Sequence, residues 1–254
     1  MTMNTSSADL DFAVAVIAEA GDFTLKHFRS ADLQIITKAD GSPVTAADEG
    51  AEQLIRQRIQ ENFPEDGITG EEGNDVVGTS GRRWVVDPID GTHAFTRGVP
   101  TYTNLLYLED SDGPSVGVIN VPAMTEIVAA ARGQGCTLNG VTCSVNDHAV
   151  MSSAVLSCSG FDYWEEEMLQ RLRASGVAMR TWGDGYGYVL VATGRIEAMF
   201  DPIINFWDIA PCQVIIPEAG GRVTTLEGHD NLELGSALAT NGVLHEPLRS
   251  MLLP

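Results

Sequence analysis

The stretch WVVDPIDGTHAF, residues 84 to 95, constrains the fold more than any other part of the chain. Trp84, Val85 and Val86 form an unbroken apolar run of the kind that is buried on both faces of a sheet. Pro88 cannot donate to a strand ladder and Gly91 permits a tight turn, so the strand is expected to stop at the proline and present Asp87 and Asp90 together at its carboxyl end. That end is where α/β sheets hold ligands. Two neighbouring carboxylates there repel each other and are costly to desolvate unless a cation or a shared proton relieves them. A D-x-x-D on its own is an Asx turn or a helix cap with one aspartate solvated. The apolar strand in front of this one shifts the reading toward a cation site. Oxygen ligands without histidine or cysteine suit Mg2+, which keeps waters and bridges to a substrate phosphate. Gly91 and Thr92 then offer backbone N–H groups and a hydroxyl to an anion beside the metal.

Helical and strand patterns alternate around this stretch. Leu10, Ala13, Val16, Ile17, Ala20 and Phe28 recur at helical spacing over residues 8 to 29. TAADEGAEQLIRQRIQENFP begins with Thr45 and Asp48 three residues apart, a capping-box pattern, and Pro64 stops the helix. RWVVD, YTNLLYL, SVGVINV, EIVAAA and AVLSC read as short strands separated by Gly, Pro, Asp and Asn. Further on, Trp164 to Leu172 reads as a helix, GYVLVATG as a helix closed by Gly194, EAMF as a strand, and WDIAPCQVIIPEAGG as one helix ending at Gly220. With no linker or repeat in view, two halves sharing one core are expected, residues 1–145 carrying most of the acidic ligands and 146–254 carrying the rest.

Two other acidic spots could complete a cation cage. GEEG holds Glu71 and Glu72 between glycines and by itself is a solvated loop; FWDIAP puts Asp208 at a helix start, where an N-cap is the ordinary role. Composition narrows the partners. With 35 acidic against 15 basic residues the formal charge is −20, which repels nucleic acid and anionic membranes. The N-terminus lacks a basic and apolar leader pattern, no window approaches a membrane span, and a cytoplasmic enzyme is expected. Cys136, Cys143, Cys158 and Cys212 have no metal spacing and read as buried thiols. The five histidines form no ligand spacing, and only His93 falls near the acidic stretch.

Taken in order, TKADGSPVTAADEGAE (37–52), GEEG (70–73), WVVDPIDGTHAF (84–95) and FWDIAPCQVIIPEAGGRVTTLEG (206–228) resemble the inositol monophosphatase superfamily of metal-dependent phosphomonoesterases. VTAADEGAE, FTRGVP, GPSVGVINVPA, WGDGYGYVLVATG and GSALATNG are most similar to its histidinol-phosphate phosphatase branch. The resemblance implies a layered αβαβα sandwich, α/β in class, of the inositol monophosphatase and fructose-1,6-bisphosphatase type. It implies two or three Mg2+ per site held by Glu71, Asp87, the Ile89 carbonyl, Asp90 and Asp208. Asp48 and Thr92 would orient the attacking water, with Glu71 counted among the catalytic groups, while Gly91 and Thr92 would hold the phosphate. Lys38 would add a positive charge facing the same pocket, its alternative being a solvated loop lysine.

Substrate choice falls to the second half. Asp201 stands where the family carries an acidic residue, commonly glutamate, that contacts the leaving group, and a carboxylate there could pair with an ammonium. Asp184 in WGDGYG is a second candidate contact, or else a turn residue between glycines. The favoured reaction is hydrolysis of L-histidinol phosphate by metal-activated water, with inositol monophosphatase or a broad sugar-alcohol phosphatase as the alternative. A non-catalytic regulatory relative is disfavoured by the complete acidic set. The resemblance also implies a homodimer.

Overall fold

The structure, a computed structural model, describes residues 5–37 and 43–253. Helix α1 (Thr5–His27) leads to the short antiparallel pair β1 (Ile35–Thr37) and β2 (Pro43–Thr45), then to helix α2 (Ala46–Asn62). Strands β3 (Gly67–Gly70) and β4 (Arg83–Asp90) follow, with the short helix α3 (Thr92–Thr96), and a meander of β5 (Thr103–Asp110), β6 (Gly113–Val121), β7 (Glu126–Ala131), β8 (Cys136–Leu138) and β9 (Val141–Cys143). The chain then runs β10 (Val155–Ser157), α4 (Glu166–Ser175), β11 (Ala178–Arg180), α5 (Asp184–Ala192) and β12 (Ala198–Asp201). It finishes with α6 (Phe206–Ile209), α7 (Cys212–Glu218), β13 (Arg222–Thr224), β14 (Ala237–Thr240) and α8 (His245–Leu252).

Two sheets result. One has seven strands in the order β3-β4-β5-β6-β7-β8-β9, with only β3 and β4 parallel; the other has five in the order β11-β10-β12-β14-β13. Period-two alternation distributes the apolar side chains of β4, sending Trp84 and Val86 to one face and Val85 to the other. On the first face Ala13, Val16, Ile17 and Ala20 of α1 and Ile55 and Ile59 of α2 cover Trp84, Leu106 and Val118. On the second, α5 and α7 fill the space between the sheets, where Tyr188, Ile215 and Ile216 meet Leu105 and Ile119 from one side and Met199 and Ala239 from the other. Met168 and Leu172 of α4 and Leu248 and Leu252 of α8 close the outer face of the five-stranded sheet over Leu156 and Phe200. The layers are therefore αβαβα, an α/β sandwich. Among the described residues no helix is long and apolar enough to cross a membrane.

Three local expectations change. The single helix expected over WDIAPCQVIIPEAGG is two, because Pro211 has no N–H to return to the Trp207 carbonyl and instead caps α7. The bond from Ala210 N–H to Phe206 O (2.8 Å) is the last of α6, and Val214 and Ile215 start again from Pro211 O (3.1 and 3.0 Å). Helix α4 starts at Glu166 rather than at Trp164, which packs edge-on against Phe200 as a core residue. Strand β4 does not stop at Pro88 but runs on to Asp90.

The junction of α6 and α7 sits against the large sheet at Gly117 of β6. A Cβ on Gly117 would overlap the Pro211 carbonyl oxygen and lie 3.1 Å from its Cα, backbone that cannot rotate aside. Gly117→Ala is expected to cost about 2 kcal/mol of stability, read as a lower urea midpoint, and to lower activity by shifting α6. An unchanged midpoint would refute this contact.

Candidate active site

In a regular strand, residues three apart point to opposite faces. Asp87 pairs with Leu105 and Asp90 with Thr103, so three steps on β4 face two on β5, and this bulge turns both carboxylates to the same side. The bulge also explains how β4 accommodates Pro88, whose missing N–H falls where the ladder is already interrupted. Asn104 Nδ2 donates to the Pro88 carbonyl (2.6 Å) and is itself braced by Asn120 Nδ2 on its Oδ1 (3.0 Å), both side chains being buried.

Asp208 arrives from the far side, on α6. It occupies the third helical position, where the Asn205 N–H and Nδ2 donate to its Oδ2 (3.2 and 3.3 Å) as half of a capping box. One carboxylate oxygen from each of Asp87, Asp90 and Asp208 lies within 4.8 Å of the others. Capping and convergence coexist. Glu71 follows β3, tied beside β4 by its N–H to the Val86 carbonyl (3.3 Å), and its charge adds to the repulsion felt by Asp48, Asp87 and Asp208.

Among the described residues the donors around these acids are neutral: the Ile89 N–H to Asp87 (3.0 Å), the Thr103 hydroxyl (2.9 Å) and the Gly185 N–H to Asp90, and Asn205 to Asp208. Burial, then Glu71, Asp90 and Asp208, pushes Asp87 well above the usual carboxylate range. Burial, then Asp184 and Asp208, does the same to Asp90. Asp208 is pushed up to about 7, chiefly by burial. Hard anionic oxygens crowded in low dielectric, with neutral donors holding their outer lone pairs, fit a divalent cation.

Asp48 projects into the same region from α2. The Thr45 N–H and hydroxyl donate to its Oδ2 (2.8 and 2.5 Å), leaving Oδ1 facing the Thr92 hydroxyl at 3.4 Å. Thr92 also donates to the Ile89 carbonyl (3.0 Å), so that carbonyl has one lone pair engaged. Gly91, at φ 78, is the left-handed residue that opens α3. Lys38 lies outside the described residues.

Beside the acidic trio is a cavity of about 110 Å3 lined by Asp90, Ser159, Asp184, Tyr188, Asp201 and Asp208. Asp184 adopts a left-handed φ of 56, its N–H donating to Ser159 Oγ (2.9 Å) and its carboxylate lying against Gly91. Burial and then Asp201 push Asp184 up to about 6. Asp201 is buried, its two oxygens accepting from the Ser159 N–H and the Tyr188 hydroxyl, each at 2.9 Å. A larger cavity of about 470 Å3 lies at Arg82 and Arg132, but those guanidinium groups are already paired with Asp9, Asp66 and Asp110.

Sequence profiles of known families give one decisive match: that of the inositol monophosphatase family covers residues 6–252. The chain belongs to the inositol monophosphatase family. It is 39% identical over 236 residues to a histidinol-phosphatase of Chlorobaculum parvum, covering 91% of each chain. It is 39% identical over 257 residues to a histidinol-phosphatase of Mycobacterium tuberculosis, covering 97% of this chain and 98% of that one. Among solved structures it is similar to the extragenic suppressor protein SuhB of Bartonella henselae, with a TM-score of 0.90, 26% identity and coverage of 96% and 98%. Its phosphatase relatives are phosphoric monoester hydrolases of a metal-dependent family, and this chain is a phosphatase of that family.

Several residues of the site escape the sequence reading. Thr103, Asn104, Ser159 and Tyr188 are neutral and stand in or beside core elements, where nothing in their spacing distinguishes them from packing residues. Glu52 did carry a signal: it lies one helical turn after Asp48, on the face of α2 that turns inward.

The raised carboxylates make stability depend on pH. Their folded pKa values exceed the unfolded ones, so their contribution is complete below about pH 4 and disappears as pH rises through about 6 and 7, where Asp184 and Asp208 ionise. The melting temperature in EDTA is expected to fall across that interval, and the gain on adding Mg2+ to be larger at pH 8 than at pH 5 by about 3 °C or more. A gain of equal size at both pH values would contradict a site held together by cation and carboxylates.

Proposed function

We propose that the protein is a Mg2+-dependent phosphomonoesterase whose substrate is L-histidinol phosphate. Glu71, Asp87, Asp90, Asp208 and the Ile89 carbonyl would hold the metal, an all-oxygen set suited to Mg2+. When bound, the metal supplies positive charge to the phosphoryl oxygens and the leaving alkoxide and lowers the pKa of a water beside it. The N–H groups of the cap Gly91 and of Thr92 precede the first bond of α3, which Ala94 donates to the Gly91 carbonyl, and are available to the phosphate.

The nucleophile is oriented by the protein's own groups. The single Thr92 hydroxyl proton has two acceptors in reach, the Ile89 carbonyl at 3.0 Å and Asp48 Oδ1 at 3.4 Å; turned to Asp48 when the carbonyl serves the metal, it leaves Thr92 Oγ1 lone pairs to accept a hydrogen bond from the attacking water. Asp48 is held in place for this by the Thr45 cap, and burial raises its pKa above the ordinary carboxylate value. Asp90, in the shared wall between the trio and the smaller cavity, keeps the phosphate side and the leaving-group side adjacent.

The observation that carries the choice of substrate is the pair Asp184 and Asp201 in that cavity, next to relatives named for histidinol phosphate over nearly the full chain. Asp184 and Asp201 add two carboxylates to a cavity that Asp90 and Asp208 already make acidic, and this favours a leaving group with an ammonium over an uncharged polyol. Asp184 is the more accessible of the two and the direct contact; Asp201, with both oxygens engaged, fixes Ser159 and Tyr188 and adds field.

Initial rates on L-histidinol phosphate and on inositol 1-phosphate, with and without Mg2+, test this reading. Histidinol phosphate is expected to win by about 10-fold or more in kcat/KM, only with the metal, and Asp87→Asn to remove the activity. Asp184→Asn, which tolerates the left-handed backbone, should lose about 10-fold on the aminated substrate and little on the polyol. Equal rates on the two substrates, or equal losses in the variant, would overturn the assignment.

A further inference from the structure

The GEEG turn that carries Glu71 is held from below by an ion pair on α2, its Glu52 buried and its Arg56 half-buried. Glu52 is 2% exposed and accepts four-residue-spaced Arg56 Nε on Oε1 at 2.6 Å. The same oxygen accepts the Gly73 N–H (2.8 Å), and Oε2 accepts the Glu72 N–H (2.8 Å). Arg56 completes the grip by donating to the Gly73 and Asn74 carbonyls (3.2 and 3.0 Å). The Glu52 charge is thus compensated by Arg56, and both side chains are committed to the backbone of one turn.

The glycines of the motif have a physical reason in this contact. A Cβ on Gly70 would overlap Glu52 Oε1 and lie 2.7 Å from Arg56 Nη2, and one on Gly73 would lie 2.8 Å from Glu52 Oε1 and 3.0 Å from Arg56 Nε. The turn lies flat on the pair because it has no side chains at its two ends. On the next turn of the same helix stands Asp48, which faces Thr92, so α2 sets two groups of the site from one rigid element.

We infer that Glu52 is a positioning residue for the cation site: by gripping the Glu72 and Gly73 N–H groups it fixes the turn in the conformation that aims Glu71 at the acidic trio. The role is mechanical. Glu52 touches neither substrate nor the trio; it replaces water as the acceptor for two amides and thereby removes the alternative conformations of the turn. The inference rests on the reading of Glu71 as a cation ligand and not on the choice of substrate.

Glu52→Gln keeps the size of the side chain but replaces one acceptor oxygen by an NH2 that opposes either the Gly73 or the Glu72 N–H. Mn2+ alone, titrated calorimetrically into the metal-free full chain, should bind the variant about 10-fold or more weakly than the unsubstituted protein. Hydrogen exchange at the Glu72 and Gly73 amides of the metal-free variant should be at least about 10-fold faster. Arg58→Gln, which removes the exposed Arg58–Glu19 pair from the outer side of the same helix, is the control for a general loss of helix stability and should leave both readouts unchanged. Arg56→Lys, which keeps the charge but loses the fork to Gly73 and Asn74, should weaken Mn2+ about 3-fold and carries the test if Glu52→Gln does not fold. Faster amide exchange with unaltered Mn2+ affinity would reduce Glu52 to a structural residue and overturn the inference. Failure of the unsubstituted protein to bind Mn2+ at all would instead remove the reading of Glu71 as a ligand.

Discussion

Mutual repulsion among buried carboxylates governs this structure. Asp87, Asp90 and Asp208 crowd into one low-dielectric spot, where beyond burial the Glu71 charge pushes Asp48, Asp87 and Asp208 upward and the Asp184 charge pushes Asp90 upward. A folded chain tolerates such an arrangement only if each acid is fixed by donors on its outer side and the inner side is left to protons or cations. That pattern recurs here. Thr45 holds Asp48, the Ile89 N–H holds Asp87, Thr103 and Gly185 hold Asp90, and Asn205 holds Asp208. Each donor comes from the same turn or a neighbouring element, so the stored repulsion is distributed over the fold rather than borne by one loop.

The layers make this possible. Strand β4 lies inside the larger sheet and is buried along almost its whole length, which gives the bulge at Asp87–Asp90 a rigid frame. Asp208 reaches the bulge because α6 and α7 occupy the layer between the two sheets, pressed onto β6 at Gly117. The break at Pro211 has a use in this light: it lets the chain start α6 at the acidic trio and still direct α7 along the inter-sheet core.

The site has two sides joined by Asp90. On one are Asp48, Gly91, Thr92 and the turn at Glu71; on the other are Ser159, Asp184, Tyr188 and Asp201 at the ends of β10 and β12 and the start of α5. In the proposed reaction the first holds the phosphate and the attacking water. The second is built by the later sheet, whose parallel β10 and β12 deliver Ser159 and Asp201 at the same level, and on the proposed reading it is the side that selects the leaving group.

Much of this was legible in the linear order. WVVDPIDGT announced a buried strand ending in paired acids, and Thr45 with Asp48 announced a capped helix, because both signals lie within a few residues and depend on local sterics and hydrogen bonds. The bulge was not legible: Pro88 marks an interrupted ladder, but only pairing with Leu105 and Thr103 decides whether the strand ends or carries an extra residue. The division of α6 from α7 was misread for a similar reason, since a proline can stand in a first turn or begin a new helix, and packing against β6 selects the latter. Ser159 and Tyr188 acquired their roles only from neighbours far along the chain, Asp184 and Asp201, whereas the spacing of Glu52 from Asp48 marked it as inward-facing and only its partners Glu72 and Gly73 were hidden. Residue types and short spacings thus determined the chemistry of the acids and the existence of the elements around them. Which oxygens meet, and which groups brace them, was decided by the tertiary structure, because a carboxylate's pKa and its partners depend on distances between segments that no local pattern encodes.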